Sequence, residues 1–125
     1  MKTPYELIGG ENGVRNLAKE FYVVMSARSK AKTIREMHAP DTSEVEQKLF
    51  MFLSGWMGGP DLYFEKYGTV CLTKPHAGYS ISSEERDQWL DCMDQALDNT
   101  GASDELKAMI KQPMFAIADM MRYTR

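Results

Sequence analysis

Along most of this chain apolar residues recur at the spacing of a helix, not of a strand. Val14, Leu17, Ala18, Phe21, Tyr22 and Met25 fall at i, i+3, i+4, i+7, i+8 and i+11. That spacing puts them on one stripe and carries the polar tip of Tyr22 to the buried side. A second segment repeats the pattern with Val45, Leu49, Phe52, Leu53 and Trp56; Asp41, Thr42 or Ser43 can cap it, and Gly58-Gly59-Pro60 ends it. A third opens at Ser82, with Glu85 three residues on to complete a capping box, and its buried side is Trp89, Cys92, Met93 and Ala96 until residues 99–101 stop it. The fourth carries Leu106, Met109, Ile110, Ile117, Ala118 and Met121 on one face, with Pro113 predicting a kink near residues 109–113. No alternating strand pattern competes. The expectation is an all-α fold of four substantial helices, interrupted by an irregular stretch, Gly68 to Ser80, too rich in Gly, Pro and Thr for a long helix.

Composition narrows the classes. The 125 residues are 43% hydrophobic and 26% charged, ordinary values for a globular chain, and the expected organisation is a single domain, 1–125, around one core supplied by ten Met and a set of aromatics. Fifteen Lys and Arg stand against eighteen Asp and Glu, net −3, with no basic run. Nothing here forms an electrostatic footprint for nucleic acid or an anionic membrane surface. No apolar run exceeds about five residues, as from Leu49 to Leu53, where a membrane span needs about twenty. The opening Met1-Lys2-Thr3-Pro4-Tyr5-Glu6 has no secretory apolar stretch, so the expected compartment is the cytoplasm. Cys71 and Cys92 form neither Cys-x-x-Cys nor Cys-x-x-Cys-His, which removes a redox dithiol, the usual zinc spacing and covalent haem attachment together.

Catalytic motifs are few. The chain has no Gly-rich phosphate loop, no Gly-x-Ser-x-Gly elbow, no His-Glu-x-x-His and no EF-hand loop. It has two histidines: His38 after the first long helix, and His76 in the irregular stretch before the third. A lone histidine is more often a surface or hydrogen-bonded residue than a ligand. A helical domain with a wide apolar interior, one imidazole delivered by a loop and polar-tipped aromatics on buried stripes is nevertheless what a haem pocket requires. Spacing alone leaves this open, because Met and aromatic stripes usually form plain core.

Longer strings carry more. Tyr5-x-x-Ile8-Gly9-Gly10, Phe21-Tyr22, Leu49-x-x-Phe52-Leu53-x-x-Trp56-x-Gly58-Gly59-Pro60-x-x-Tyr63, Gly68, His76-Ala77-x-Tyr79-x-Ile81 and Glu85-Arg86-Asp87-x-Trp89-Leu90-x-Cys92-Met93 follow one another in this order. The set closely resembles the group II truncated haemoglobins over nearly the whole chain, the Trp-x-Gly-Gly-Pro and Arg-Asp-x-Trp-Leu-x-Cys-Met stretches being the specific ones.

The resemblance implies a globin-like two-on-two helical sandwich around non-covalent haem b, with the proximal helix reduced to a loop. It assigns His76 as the proximal iron ligand, its second ring N–H held by an acceptor that fixes the tautomer. Tyr22, Trp89 and His38 fall on the distal side; His38 is left open between bonding the ligand, bonding Tyr22 and facing water. Val45, Leu49, Phe52 and Leu53 match the distal wall, and Tyr63, Lys74 and Tyr79 complete the haem pocket. The implied ligands are O₂, CO and NO at ferrous iron, with donors from Tyr22 and Trp89 slowing release. The same donors suit oxidation of NO to nitrate or reduction of peroxide, and no flavin or nicotinamide motif is present, so such an enzyme needs a separate reductase. The resting ferric ligation, and whether the chain is a monomer or a homodimer, are not set by the sequence.

Two positions depart from the family pattern. Pro75 stands where Arg often precedes the proximal His and pairs with a propionate, leaving Lys74 or Tyr63 to substitute, and Thr69 stands where His is common. The lost propionate partner motivates an alternative from another class, a haem-free all-α interaction module that keeps the globin fold.

Overall fold

The computed structural model describes residues 2–68 and 81–121, and among them every regular element is helical. In chain order these are α1 (Pro4–Ile8), α2 (Gly10–Ala27), a 3₁₀ turn (Ser29–Ala31), α3 (Lys32–Glu36), α4 (Ser43–Trp56), α5 (Leu62–Tyr67), α6 (Ser83–Asn99) and α7 (Asp104–Met120). The four long helices are those expected. Helix α2 packs against both α4 and α6, and α6 packs against α7, so the pair α2/α4 lies over the pair α6/α7. None of these helices is long and apolar enough to cross a membrane.

The stripe of α2 is buried as its spacing requires: Val14, Leu17, Ala18, Phe21, Tyr22 and Met25 all lie in the core, joined by Val24. Its C-terminal half is also tied to α6 by polar bonds. Arg28, just past the helix, pairs with Asp91 and donates to Gln95 Oε1 at 2.9 Å, while Asn99 donates to Glu20 at 2.9 Å.

Helix α4 differs from expectation. Its buried residues are Phe50, Met51, Leu53 and Ser54, followed by Met57, whereas Val45, Leu49, Phe52 and Trp56 are half-buried. At 100° per residue the helix has two apolar stripes. Phe50, Leu53 and Met57 form one, with Glu46 one turn ahead of them; Val45, Leu49, Phe52 and Trp56 form the other, at the core's edge.

Helix α6 begins as the sequence dictates. Ser82 N–H donates to Glu85 Oε1 at 2.7 Å, and Ser82 Oγ accepts from Glu84 N–H at 3.2 Å. Cys92, Met93, Ala96 and Leu97 are buried and Trp89 half-buried. Helix α7 runs through Pro113, which supplies no N–H to the carbonyl of Met109, and buries Leu106, Ile110, Met114 and Ala118, with Met109 and Ile117 half-buried. The two helices are joined near their open end by Arg86, which donates to Asp119 Oδ1 at 2.8 Å and lies over the Phe115 ring at 4.8 Å.

Short α1 closes the bottom. Thr3 and Glu6 form a capping box, and Tyr5 N–H donates to Met57 O at 2.9 Å. The Tyr5 ring then lies so close to Gly59 that a Cβ there would fall 2.3 Å from it, which explains a glycine at that site.

Candidate cofactor site

The expected distal residues are linked through ring contacts at the α2/α6 interface. Tyr22 is 7% exposed, its ring edge-on to Phe21 at 4.9 Å and to His38 at 5.6 Å. Phe21 in turn meets Trp89 of α6 at 5.1 Å and 56°. The two candidate donors therefore flank a single fully buried ring. His38 reaches this cluster because α3 ends at Glu36 and the chain turns back; its Nδ1 lies 2.7 Å from Ile34 O, a contact that places the proton on Nδ1.

Burial, with the nearby Glu46 carboxylate adding to it, pushes the Tyr22 phenol well above its ordinary range. Tyr22 is accordingly a neutral O–H donor at any physiological pH. An open cleft of about 380 Å³ between α2 and α4 reaches the same residue, lined also by Lys19, Ser26, Thr42 and Glu46.

Sequence reasoning missed two polar groups beside these residues. Glu46 stands at the head of the Phe50, Leu53, Met57 stripe, and that spacing was the available signal. Gln88, adjacent to Trp89, buries its Oε1 with no hydrogen-bond partner. A buried amide oxygen left unpaired costs about 1–3 kcal/mol, and no local pattern announces it.

The apolar wall expected from the sequence falls on the edge stripe of α4. Val45, Leu49 and Phe52 line it with Trp56, and Phe52 meets Tyr63 of α5 edge-on at 6.4 Å. Leu53, expected on the same wall, lies on the inner stripe at 1% exposure. Lys74, Tyr79 and His76, with Cys71, Thr69 and Pro75, lie outside the described residues.

The chain matches the model of the bacterial-like globin family over residues 3–123. It is 34% identical to the group 2 truncated hemoglobin YjbI of Bacillus subtilis over 107 residues, covering 86% of this chain and 78% of that protein. Among solved structures it superposes on the cold-adapted truncated hemoglobin of the Antarctic marine bacterium Pseudoalteromonas haloplanktis TAC125 with TM-score 0.93 and 39% identity, covering 99% of this chain and 100% of that one. The group II 2-on-2 hemoglobin of Agrobacterium tumefaciens gives 0.92 and 37%, covering 98% and 95%. The chain belongs to the bacterial-like globins and, within them, to the group II truncated haemoglobins. Haem is the cofactor that goes with this membership, the first of the two readings the sequence left open.

The described residues fit that group. A half-buried apolar stripe on α4 offers contact to a porphyrin face, and Tyr22 of α2 and Trp89 of α6 carry neutral O–H and N–H donors.

Proposed function

We propose that this chain, as a single-domain cytoplasmic protein, holds haem b through His76 and binds O₂, CO and NO at ferrous iron, with Tyr22 and Trp89 donating to the bound ligand and slowing its release. The observation that supports this is the Tyr22–Phe21–Trp89 cluster, in which a phenol from α2 and an indole from α6 pack against the same buried ring. Charge that builds on bound oxygen is stabilised by such fixed donors in a dry site. The group supplies the redox chemistry of iron; the chain's residues supply orientation, exclusion of water and the donors. His38, against the Tyr22 ring with one nitrogen committed to Ile34 O, limits the freedom of the Tyr22 side chain.

Slow release suits chemistry on oxygen better than its delivery. With haem held there, Tyr22 and Trp89 would be placed to support oxidation of NO to nitrate, for which a separate reductase would have to supply the electrons. Peroxide reduction uses the same donors. Absorption spectra of the ferric, ferrous and CO-bound forms test the core of this reading: a strong band near the violet edge, lost in His76→Ala, is expected. Colourless protein unable to take up haemin would overturn it. Nitrate formation from the oxy form on mixing with NO tests the reaction, and its absence would remove the dioxygenase role.

A further inference from the structure

Two phenols on α5 form a path from the proposed cofactor wall to the surface. Tyr63 and Tyr67 are four residues apart, hence on one face of the helix. Their rings lie 4.6 Å apart at 44°, the one pair of stacked tyrosines among the described residues. Tyr63 is half-buried and meets the edge of Phe52, which stands on the outer stripe of α4. Tyr67 is 39% exposed, with Lys66 Nζ 5.6 Å from its ring centroid, and its neighbour Phe64 is half exposed. The sequence alone gave Tyr63 a lining role and a place as a substitute propionate partner, and gave Tyr67 none.

We propose that Tyr63 and Tyr67 carry oxidising equivalents from the haem to the protein surface, making Tyr67 a site where phenolic donors too large for the cofactor pocket are oxidised at the expense of hydrogen peroxide. The inference rests on the haem reading above. Reducing one peroxide to two waters takes two electrons and two protons. Tyr63 gives up one electron and its phenolic proton; Tyr67 refills it by losing an electron and a proton of its own, becoming a neutral phenoxyl. A phenol at the surface then returns one electron and one proton to Tyr67. Two turns of the relay consume one peroxide and two phenols, and yield two waters and two phenoxyl products.

The other described tyrosines are poorer termini. Oxidation of a phenol at neutral pH expels its proton, and at Tyr67 water is at hand to take it. Tyr22 is only 7% exposed, out of reach of a phenol too large for the pocket. Tyr5 is half-buried against Gly59 and has no stacked phenol to relay through.

The test uses ferric holoprotein and one equivalent of hydrogen peroxide with a nitrone spin trap, the adduct being located by mass spectrometry. Adducts are expected on Tyr67, and Tyr67→Phe should abolish them together with oxidation of a dextran-linked phenol, while free guaiacol, small enough for the pocket, is still consumed. Tyr63→Phe should also remove the adduct at Tyr67. Both substitutions keep the aromatic rings, so a packing role for the pair leaves adducts and tethered-phenol oxidation unmoved. Adducts confined to Tyr22 or Tyr5, or tethered phenol oxidised by Tyr67→Phe at the wild-type rate, would overturn the proposal. Protein with no haem band defeats the haem reading; haem-bearing protein without a Tyr67 adduct defeats only this one.

Discussion

Phe21 is the hinge of the donor arrangement, and Phe21→Leu tests it without removing either donor. The ring is fully buried and touches both Tyr22 and Trp89. Each aromatic pair is worth about 0.5–1.5 kcal/mol beyond its area, so losing both removes about 1–3 kcal/mol. Leucine refills most of the volume, which keeps the total below the roughly 3–5 kcal/mol of a Phe→Ala truncation. For a chain of this size each kcal/mol lowers Tm by roughly 3–5 °C. The functional effect is separate. If Tyr22 and Trp89 each lose half of a hydrogen bond worth about 1–1.5 kcal/mol, the summed loss of about 1–1.5 kcal/mol speeds O₂ release about five- to twelvefold. Stopped-flow displacement of O₂ by CO measures the rate, and urea unfolding the stability. A variant that is destabilised yet releases O₂ at the wild-type rate, while Tyr22→Phe and Trp89→Phe release it faster, would refute the idea that Phe21 sets the donors.

Other expectations follow from single contacts. Tyr22→Phe and Trp89→Phe should each raise the O₂ release rate about five- to twelvefold in the same assay, with little cost to Tyr22→Phe in stability because the ring contacts survive. Tyr22 should ionise above the ordinary phenol range in ultraviolet difference spectra; because its folded pKa lies above the unfolded value, the folded state binds the extra proton between the two, so its contribution is complete below the unfolded pKa and lost as pH rises beyond it. Ser82→Ala should cost about 1 kcal/mol in urea unfolding. The wild-type box should also weaken in acid: Ser82 holds the Glu85 carboxyl below its usual range, a contribution present above the unfolded carboxyl pKa and lost as pH falls through the folded one. Leu53→Ala should destabilise the haem-free protein by about 2–5 kcal/mol, and Leu49→Ala by less than half as much while releasing haem faster to a competing apoprotein.

How far the fold was legible depended on how many neighbours each helix has. On α2, one stripe runs from Val14 to Met25, and its spacing picked out all but one of the buried residues, Val24. Both ends of α6 were legible because Ser82 with Glu85 and the Asn99–Gly101 stop are local signals. The short helices α1, α3 and α5 were not, since five or six residues span too little of a turn pattern to show a period. The polar ties were invisible for another reason. Arg28 finds Asp91 sixty-three positions away and Arg86 finds Asp119 thirty-three away, and nothing local distinguishes these arginines from solvated ones. The Gln88 oxygen was hidden likewise, because only the packed arrangement reveals that it is buried and unpaired.

Helix α4 shows where the reading of the site and the reading of the fold meet. The sequence assigned Val45, Leu49, Phe52, Leu53 and Trp56 to one buried face, but Leu53 stands well round the helix from Val45 and Trp56, on the stripe of Phe50, whose ring Arg15 of α2 covers. The apolar positions divide into an inner set that meets α2 and an outer set that is half-buried. Helix α4 also packs against α5, where Phe52 meets Tyr63, yet Val45, Leu49, Phe52 and Trp56 stay half-buried. A half-buried stripe of Val, Leu, Phe and Trp is costly to leave against water, so the two sets answer to different demands: the inner one to the packing of α2, the outer one to a further apolar partner, a demand that the haem contact proposed above would meet.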